Sequence, residues 1–464
     1  MIDKLLVLGA SGDLAGRYLL PALAHLQEAG RLPEPLTIVG VAREDWDTAA
    51  FRRHLAAQLE RHAATVDPRA RQALAAMASY QRAEAGDAAA LAGALDQAKG
   101  LVVAYLALPP AAFAPAVQAL AAVGLPDRSL VVVEKPFGRN LAEARALNQL
   151  LGRCFGEAAT FRADHFLGLQ TVQNVLGLRF ANRVFEPIWH AEHIQRVEVV
   201  WDETVALEGR AGYYDHAGAL RDVVQNHLLQ LVCLVAMEPP AGLDPDRQRD
   251  RKVELLRAVQ PPPPGQMAAR TVRGRYTAGR VDGIDVPAYA DEPGVDPARG
   301  TETFAEVTLE IDNPRWRGVP FRLRTGKALV RRCAEILIHF RPACQPTFAE
   351  AAGAPANLLR FGLDPDRLTL RVNLNGAGDP FRLEQATRER VLAPQDVPAY
   401  GRLLLAVMDG DLTLSIRGDE AEECWRITEP ILAAWAEGAV PLQEYPAGSP
   451  GPRILPDHGG DRSR

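Results

Sequence analysis

Apolar residues fall along this chain in two different rhythms. Near the start, Leu5 to Leu8 form a short apolar run that meets a Gly-rich turn from Gly9 to Gly12. Leu19, Leu23 and Leu26 then recur at helical spacing, and LTIVGVA (Leu36 to Ala42) reads as a second buried strand. GLVVAYLAL from Gly100 and SLVVVEK from Ser129 continue the series, with alanine-rich helical segments between strands. Strands alternating with helices predict a doubly wound parallel sheet over roughly the first third of the chain. Beyond His165 the rhythm changes. VEVVWDETV from Val197 and FAEVTLEID from Phe304 alternate apolar and polar residues, as antiparallel strands with one wet face do. FRLRT from Phe321, EILIHF from Glu335 and RLTLRV from Arg367 are further strand candidates, and Gly212 to Leu234 reads as a long helix. The expected fold is an α/β domain over 1–165 followed by a larger α+β domain, mostly antiparallel, over 166–464. Pro261 to Pro264, closed by Gly265, reads as a loop, the stretch from Ala447 as irregular, and the final HGGDRSR as disordered.

Composition narrows the class. A chain of 464 residues is too long for one ordinary core, and 47% hydrophobic with 24% charged residues is a soluble globular mix. A net charge of −6 offers no basic stripe for nucleic acid, so an anionic substrate must be gathered by a few placed cations. The five cysteines form no CxxC pair and no metal-ligand spacing, which predicts a reducing compartment and no metal. The opening apolar run is too short for a signal peptide, and no stretch has the length of a membrane span. A cytoplasmic protein with no membrane partner is expected.

GASGDLAG, from Gly9 to Gly16, follows a strand and opens a helix, the context a phosphate-binding turn requires. Glycines let the backbone approach a pyrophosphate, whose charge then rests on the positive helix end. Alone this pattern is weak, since many βα turns hold two glycines and bind nothing. The second strand strengthens it. A site for NAD places an acidic residue at that strand's end, but here IVGVAR presents Arg43, whose guanidinium suits a 2′-phosphate. The prediction is a Rossmann domain binding NADP through Gly9, Ser11, Gly12, Asp13, Leu14 and Arg43, with the Ser11 hydroxyl adding to the phosphate site.

The ordered series of motifs resembles the glucose-6-phosphate dehydrogenase family over nearly the whole chain. It runs GASGDLA, IVGVAR, ALPP (Ala107 to Pro110), EKPFG from Glu134, RADHFLG from Arg162 and LRFANR from Leu178. PIW from Pro187, GYYD from Gly212, RDVVQNH from Arg221, EPGV from Glu292, TETF from Thr301, WRGVPF from Trp316, RTGKAL from Arg324 and PLQEYPAGS from Pro441 follow in the same order. The resemblance implies oxidation of a sugar C1 hydroxyl to a lactone, with His227 as base and Asp164 orienting it. It implies sugar contacts from Lys135, Glu203, Asp222 and Lys327, and places Pro109 and Pro136 beside the nicotinamide, with a cis peptide before Pro136. It also implies a homodimer or homotetramer. Taken singly, the charged residues would be ordinary surface charges, and a helical histidine beside Leu228 and Leu229 would be packing.

The departures cluster in one loop. Where the family writes RIDHYLGKE this chain has RADHFLGLQ, from Arg162 to Gln170. Of the histidine, tyrosine and lysine that hold the 6-phosphate in the family, only His165 remains; Phe166 and Leu169 replace the others. Two lost charge-assisted hydrogen bonds, about 1.5–3 kcal/mol each, would cost affinity roughly 10²-fold or more. Arg332 stands where a basic residue of the family reaches the same phosphate and is a candidate to compensate. Cys333 falls where some members have a basic residue for a second, structural NADP, which argues against that site here; Gly16 and Asn373 replace a lysine and a glutamine. Two readings stay open: the family reaction with a divergent phosphate loop, or a dehydrogenase of a non-phosphorylated or modified hexose. A non-catalytic regulatory paralogue ranks below both, because His227 and Asp164 are kept, and shorter sugar oxidoreductases with an EKP lysine leave QNH, TGKAL and EYPAGS unexplained.

Overall fold

The computed structural model describes residues 2–96, 98, 100–242, 244–343, 355–378 and 382–453. Cys344 and the HGGDRSR tail lie outside them. The chain forms two compact units. The first comprises Met1–Gln170, Pro240–Asp250 and Gln395–Glu422, and the second Thr171–Pro239, Arg251–Pro394 and Glu423–Arg464. The first unit therefore runs past the expected boundary at 165 and takes in two later segments, which a single cut along the chain cannot express.

In the first unit, β1 (Ile2–Leu8), β2 (Thr37–Ala42), β3 (Ala78–Arg82), β4 (Leu101–Leu106), β5 (Leu130–Glu134) and β6 (Thr160–Ala163) form one parallel sheet. Its order is β3-β2-β1-β4-β5-β6, so the winding reverses beside β1. Ligands of such sheets bind where the strand order reverses, outside the carboxyl ends. The strands read as apolar runs because helices cover both faces. Lys4, buried in β1, turns its ammonium onto the carbonyls of Ala94 (3.1 Å) and Asp96 (2.7 Å), where a cation favours a helix C-terminus. Val397, Tyr400, Leu403, Leu404 and Val407 of the returning segment are part of the same hydrophobic core as Leu5, Leu23 and Val132.

The second unit is built on β7 (Ile194–Asp202), β8 (Val259–Gln260), β9 (Thr271–Thr277), β12 (Phe304–Ile311), β13 (Phe321–Gly326), β14 (Cys333–Phe340), β15 (Leu358–Asp364), β16 (Asp366–Asn375), β17 (Leu383–Val391) and β18 (Leu442–Pro446). Its main order is β17-β16-β15-β14-β7-β13-β12-β9-β18, with β8 beside β12; β10 (Gly279–Val281) and β11 (Ile284–Val286) make a separate hairpin. Most pairs are antiparallel, as the alternation predicts, but β7 and β13 run parallel, and so do β9 and β18. The long helix expected over Gly212–Leu234 is broken. Helix Ala211–Ala219 kinks at Gly218, a wide-turned segment follows over Leu220–Leu228, and a regular helix completes it over Leu229–Ala236.

Candidate active site

The first unit carries the cofactor turn and the RADH segment. Gly9 sits at φ +86°, and a Cβ there would lie 2.2 Å from the Ala107 carbonyl oxygen, so no other residue lets the chain pass. The Gly9 and Ala10 N–H groups both donate to the Val41 carbonyl (2.8 and 3.2 Å), tying the turn after β1 to the end of β2. Beyond Gly12 the chain enters a helix with a wide turn over Ala15–Leu19. First-turn N–H groups lack partners inside their own helix, so this cradle suits a dinucleotide pyrophosphate. Asp13 is exposed and pairs with Arg17 (2.5 Å), and Leu14 is half-buried.

Arg43 follows β2 with an exposed side chain, as expected. The Ser11 hydroxyl donates to the Glu44 carboxylate at 2.8 Å. Tyr80 donates to the Glu44 carbonyl at 2.8 Å and pins that residue. Burial raises the Glu44 pKa, but its own N–H, the Ser11 hydroxyl and the Arg43 charge outweigh that and hold it below the usual value. The sequence reading stopped at Arg43 and missed this carboxylate one residue on.

Lys135 and Pro136 leave β5 half-buried, joined by a cis peptide, and Pro109 is exposed ahead of a short helical turn, Pro110–Ala112. Glu134, just before them, is fully buried and accepts a short hydrogen bond from the Tyr105 hydroxyl. Burial pushes its pKa up to about 7 against the Tyr105 hydrogen bond and the Lys135 charge, with the Asp164 charge adding to the rise. Tyr400 also hydrogen-bonds Glu134; burial, then the charges of Glu134 and Asp164, raise its own pKa. Neither tyrosine nor Glu134 was singled out from the sequence, and a tyrosine inside an apolar run such as VVAYLAL was the available signal.

Asp164 is fully buried where β6 ends, and its carboxylate caps the turn His165–Gly168 by accepting from Phe166 N–H at 3.0 Å. His165 stacks on the Tyr400 ring (centroids 5.1 Å, 14° between planes) and meets Phe166 edge-on. Of the two positions of this loop that lose a phosphate-holding side chain, Phe166 is buried and Leu169 half-buried.

The second unit gathers the remaining candidates. Because β7 and β13 are parallel neighbours with Asp202 opposite Gly326, the residues that follow them emerge at the same edge. Glu203 and Lys327 meet there at 2.5 Å. Their backbones are laced together: Glu203 N–H donates to Gly326, Lys327 N–H to Thr303, and Leu329 N–H to Glu203. Tyr445 donates to the Lys327 carbonyl (2.8 Å), and the Lys327 ammonium lies 5.2 Å from the centre of the Tyr214 ring. Alternation alone gave no sign that these two strands are parallel.

Asp222 and His227 share the wide-turned segment. Its i→i+5 hydrogen bonding brings residues five apart toward one face, a form frequent at functional sites. Asp222 accepts from the exposed Tyr213 hydroxyl (3.2 Å), and His227 is buried, its backbone N–H donating to the Asn226 side-chain oxygen at 2.7 Å. Gly218 makes the kink at φ +69°, and the space its Cβ would occupy holds the buried carboxylate of Glu302, which accepts from Leu220 N–H at 3.0 Å. Arg332 is exposed and engaged by Asp364, so its availability to a phosphate depends on exchanging that partner. The Cys333 thiol is pushed up to about 12, by burial first and then by Glu335. Asp164 and Lys135 belong to the first unit and His227, Glu203 and Lys327 to the second.

Known proteins match along the whole chain. The model of the glucose-6-phosphate dehydrogenase NAD binding domain matches residues 6–174, and that of the family's C-terminal domain residues 176–459. Glucose-6-phosphate 1-dehydrogenase of Treponema pallidum is 40% identical over 98% of this chain and 92% of its own. The Gluconobacter oxydans enzyme of the same name is 41% identical over 98% and 96%. A solved glucose-6-phosphate dehydrogenase in complex with its substrate glucose-6-phosphate superposes with a TM-score of 0.89 at 32% identity, covering 100% of this chain and 98% of that one. The Mycobacterium avium glucose-6-phosphate 1-dehydrogenase gives 0.87 at 34% identity, covering 97% and 95%. With both domain models in sequence and relatives spanning both units, the chain belongs to the glucose-6-phosphate dehydrogenase family.

Proposed function

We propose that this protein is a cytoplasmic NADP-dependent glucose-6-phosphate 1-dehydrogenase that acts as a homodimer or homotetramer. The observation that carries the reading is the 40% identity, over 98% of the chain, to a relative of that activity. The βα turn at Gly9 fits the dinucleotide, which when bound accepts a hydride at the nicotinamide. His227 takes the proton of the C1 hydroxyl, and Asp164 orients the imidazole and stabilises its charged form. Lys135, Glu203, Asp222 and Lys327 hold the sugar hydroxyls, so a sugar that leaves these groups unpaired is rejected. Pro109 and Pro136 border the nicotinamide, and Arg43 serves the 2′-phosphate.

The buried Phe166 favours a second feature, a relaxed demand at C6, with His165 and Arg332 as the remaining phosphate contacts. The test is coenzyme reduction with glucose 6-phosphate and with free glucose over a wide range of concentration. Both sugars are expected to react, with the ester's advantage in kcat/KM held to about 10²-fold and widened in Phe166→Tyr/Leu169→Lys. A wild-type advantage far above that removes the relaxed reading and leaves the family reaction. In the same assay His227→Asn should lower kcat by about 10²–10⁴-fold with little change in KM. Unchanged turnover in that variant would remove the base.

A further inference from the structure

The ends of β1 and β2 present a cation and an anion side by side. Arg43 follows the last residue of β2 and is exposed, and Glu44 follows Arg43 with its carboxylate turned to the cofactor turn, where Ser11 donates to it at 2.8 Å. The arrangement is braced from three directions. Gly9 and Ala10 donate to the Val41 carbonyl, Tyr80 donates to the Glu44 carbonyl, and Trp46 stacks obliquely on Tyr80 (centroids 5.9 Å). Arg82, on the neighbouring strand, is paired with Asp45 rather than with Glu44. Glu44 therefore remains a half-buried, ionised acceptor, with Arg43 beside it.

A carboxylate after the second strand of such a sheet is the acceptor that bonds the two ribose hydroxyls of an unphosphorylated adenosine. A guanidinium there pairs with a 2′-phosphate instead. Most sites of this kind choose one of the two. Here both stand on consecutive residues, and the same carboxylate that would receive a diol repels a phosphate placed against Arg43. The Ser11 hydroxyl is the adaptable member, since a hydroxyl can donate to the carboxylate or turn to a phosphate oxygen.

We infer that Glu44, held by Ser11, makes this protein a dual-coenzyme dehydrogenase that binds NAD through the ribose diol as well as NADP through Arg43. The inference rests on the dinucleotide reading above and deepens it. Calorimetric titration of the full-length protein with NAD⁺, NADP⁺ and adenosine 2′,5′-bisphosphate, without sugar, tests it. In the wild type the NAD⁺ and NADP⁺ dissociation constants should lie within roughly tenfold of each other, because NAD⁺ gains the Glu44 acceptor, while the Arg43 pairing of NADP⁺ is offset by repulsion between its 2′-phosphate and Glu44. Glu44→Gln keeps an acceptor for Ser11 but removes the charge. It should tighten NADP⁺ and adenosine 2′,5′-bisphosphate about tenfold and weaken NAD⁺ several-fold, reversing neither fold nor melting temperature. Arg43→Ala should act mainly on the phosphorylated ligand, weakening NADP⁺ by about 10²-fold and leaving NAD⁺ within about threefold of the wild type.

A wild-type ratio above roughly 10² in favour of NADP⁺ overturns the inference even if a variant fails to fold. So does a ratio that Glu44→Gln leaves unchanged, in which case the carboxylate merely braces the turn. If neither dinucleotide binds the wild type, the dinucleotide reading itself falls and the inference with it. That outcome is distinct from binding of both with no response to Glu44.

Discussion

Glu134 shows what one buried carboxyl does to the behaviour of this protein. Burial, with the Asp164 charge adding to it, pushes its pKa up to about 7 from an ordinary 4.5, against the Tyr105 hydrogen bond and the Lys135 charge that lower it. An acid raised on folding contributes most below its unfolded value, and that contribution is lost as pH rises through the folded one. Between about pH 4.5 and 7.5 the wild type should lose up to roughly 3 kcal/mol from this group. Denaturant titrations across that range should show the loss in the wild type and a flatter profile in Glu134→Gln, which keeps an acceptor for Tyr105. A loss of the same size in both would place the pH dependence elsewhere. At this scale the sequence was informative where chemistry is written into residue type. Gly9 at φ +86° holds the tight turn after β1, and Arg43 follows the end of β2. It was uninformative where a partner comes from far along the chain, as Tyr400 does for Glu134.

Among the elements, the kinked helix from Ala211 to Ala236 carries a local constraint at Gly218. Apolar periodicity predicts one continuous helix there, and the local preferences of GYYDHAGALRDVVQNHLL contain no helix stop except glycine. The break is decided by Glu302, whose buried carboxylate fills the space beside Gly218 and caps Leu220. At φ +69° and ψ 173° the backbone is in a region essentially reserved for glycine. Gly218→Ala should therefore cost about 3 kcal/mol of stability, read as a fall in the denaturant midpoint. It should also lower kcat, because the wide turn bearing Asp222 and His227 begins two residues on. An unchanged midpoint would mean that Glu302 moves aside at no cost. The β7–β13 pair makes the same point for strands. Alternating residues marked both segments, yet their parallel pairing, which brings Glu203 to Lys327, follows from the order in which strands join the sheet.

At the scale of the molecule, the two units are not consecutive in sequence. Val397, Tyr400, Leu403, Leu404 and Val407 complete the core of the first unit from more than two hundred residues beyond its main stretch. A fragment of residues 1–170 should expose the apolar surface they cover. We expect it to bind a hydrophobic dye and to lose near-ultraviolet circular dichroism while keeping helical signal. A cooperative, dye-free unfolding transition in that fragment would show that the returning helix is an addition rather than part of the core. A single division near residue 165 has no means of marking such returns.

Residue type and period were enough to establish an α/β domain with a dinucleotide turn, a larger sheet domain and the family's ordered motifs. These are local properties: side-chain chemistry and a repeat of two or 3.6 residues act over a few positions and survive in one dimension. Tertiary structure alone decided the ionised Glu44 beside Ser11, the buried acid and its tyrosines, the kink at Gly218 and the meeting of Glu203 with Lys327. Each depends on burial or on a partner distant in sequence, and desolvation and distance are quantities that exist only once the chain has folded.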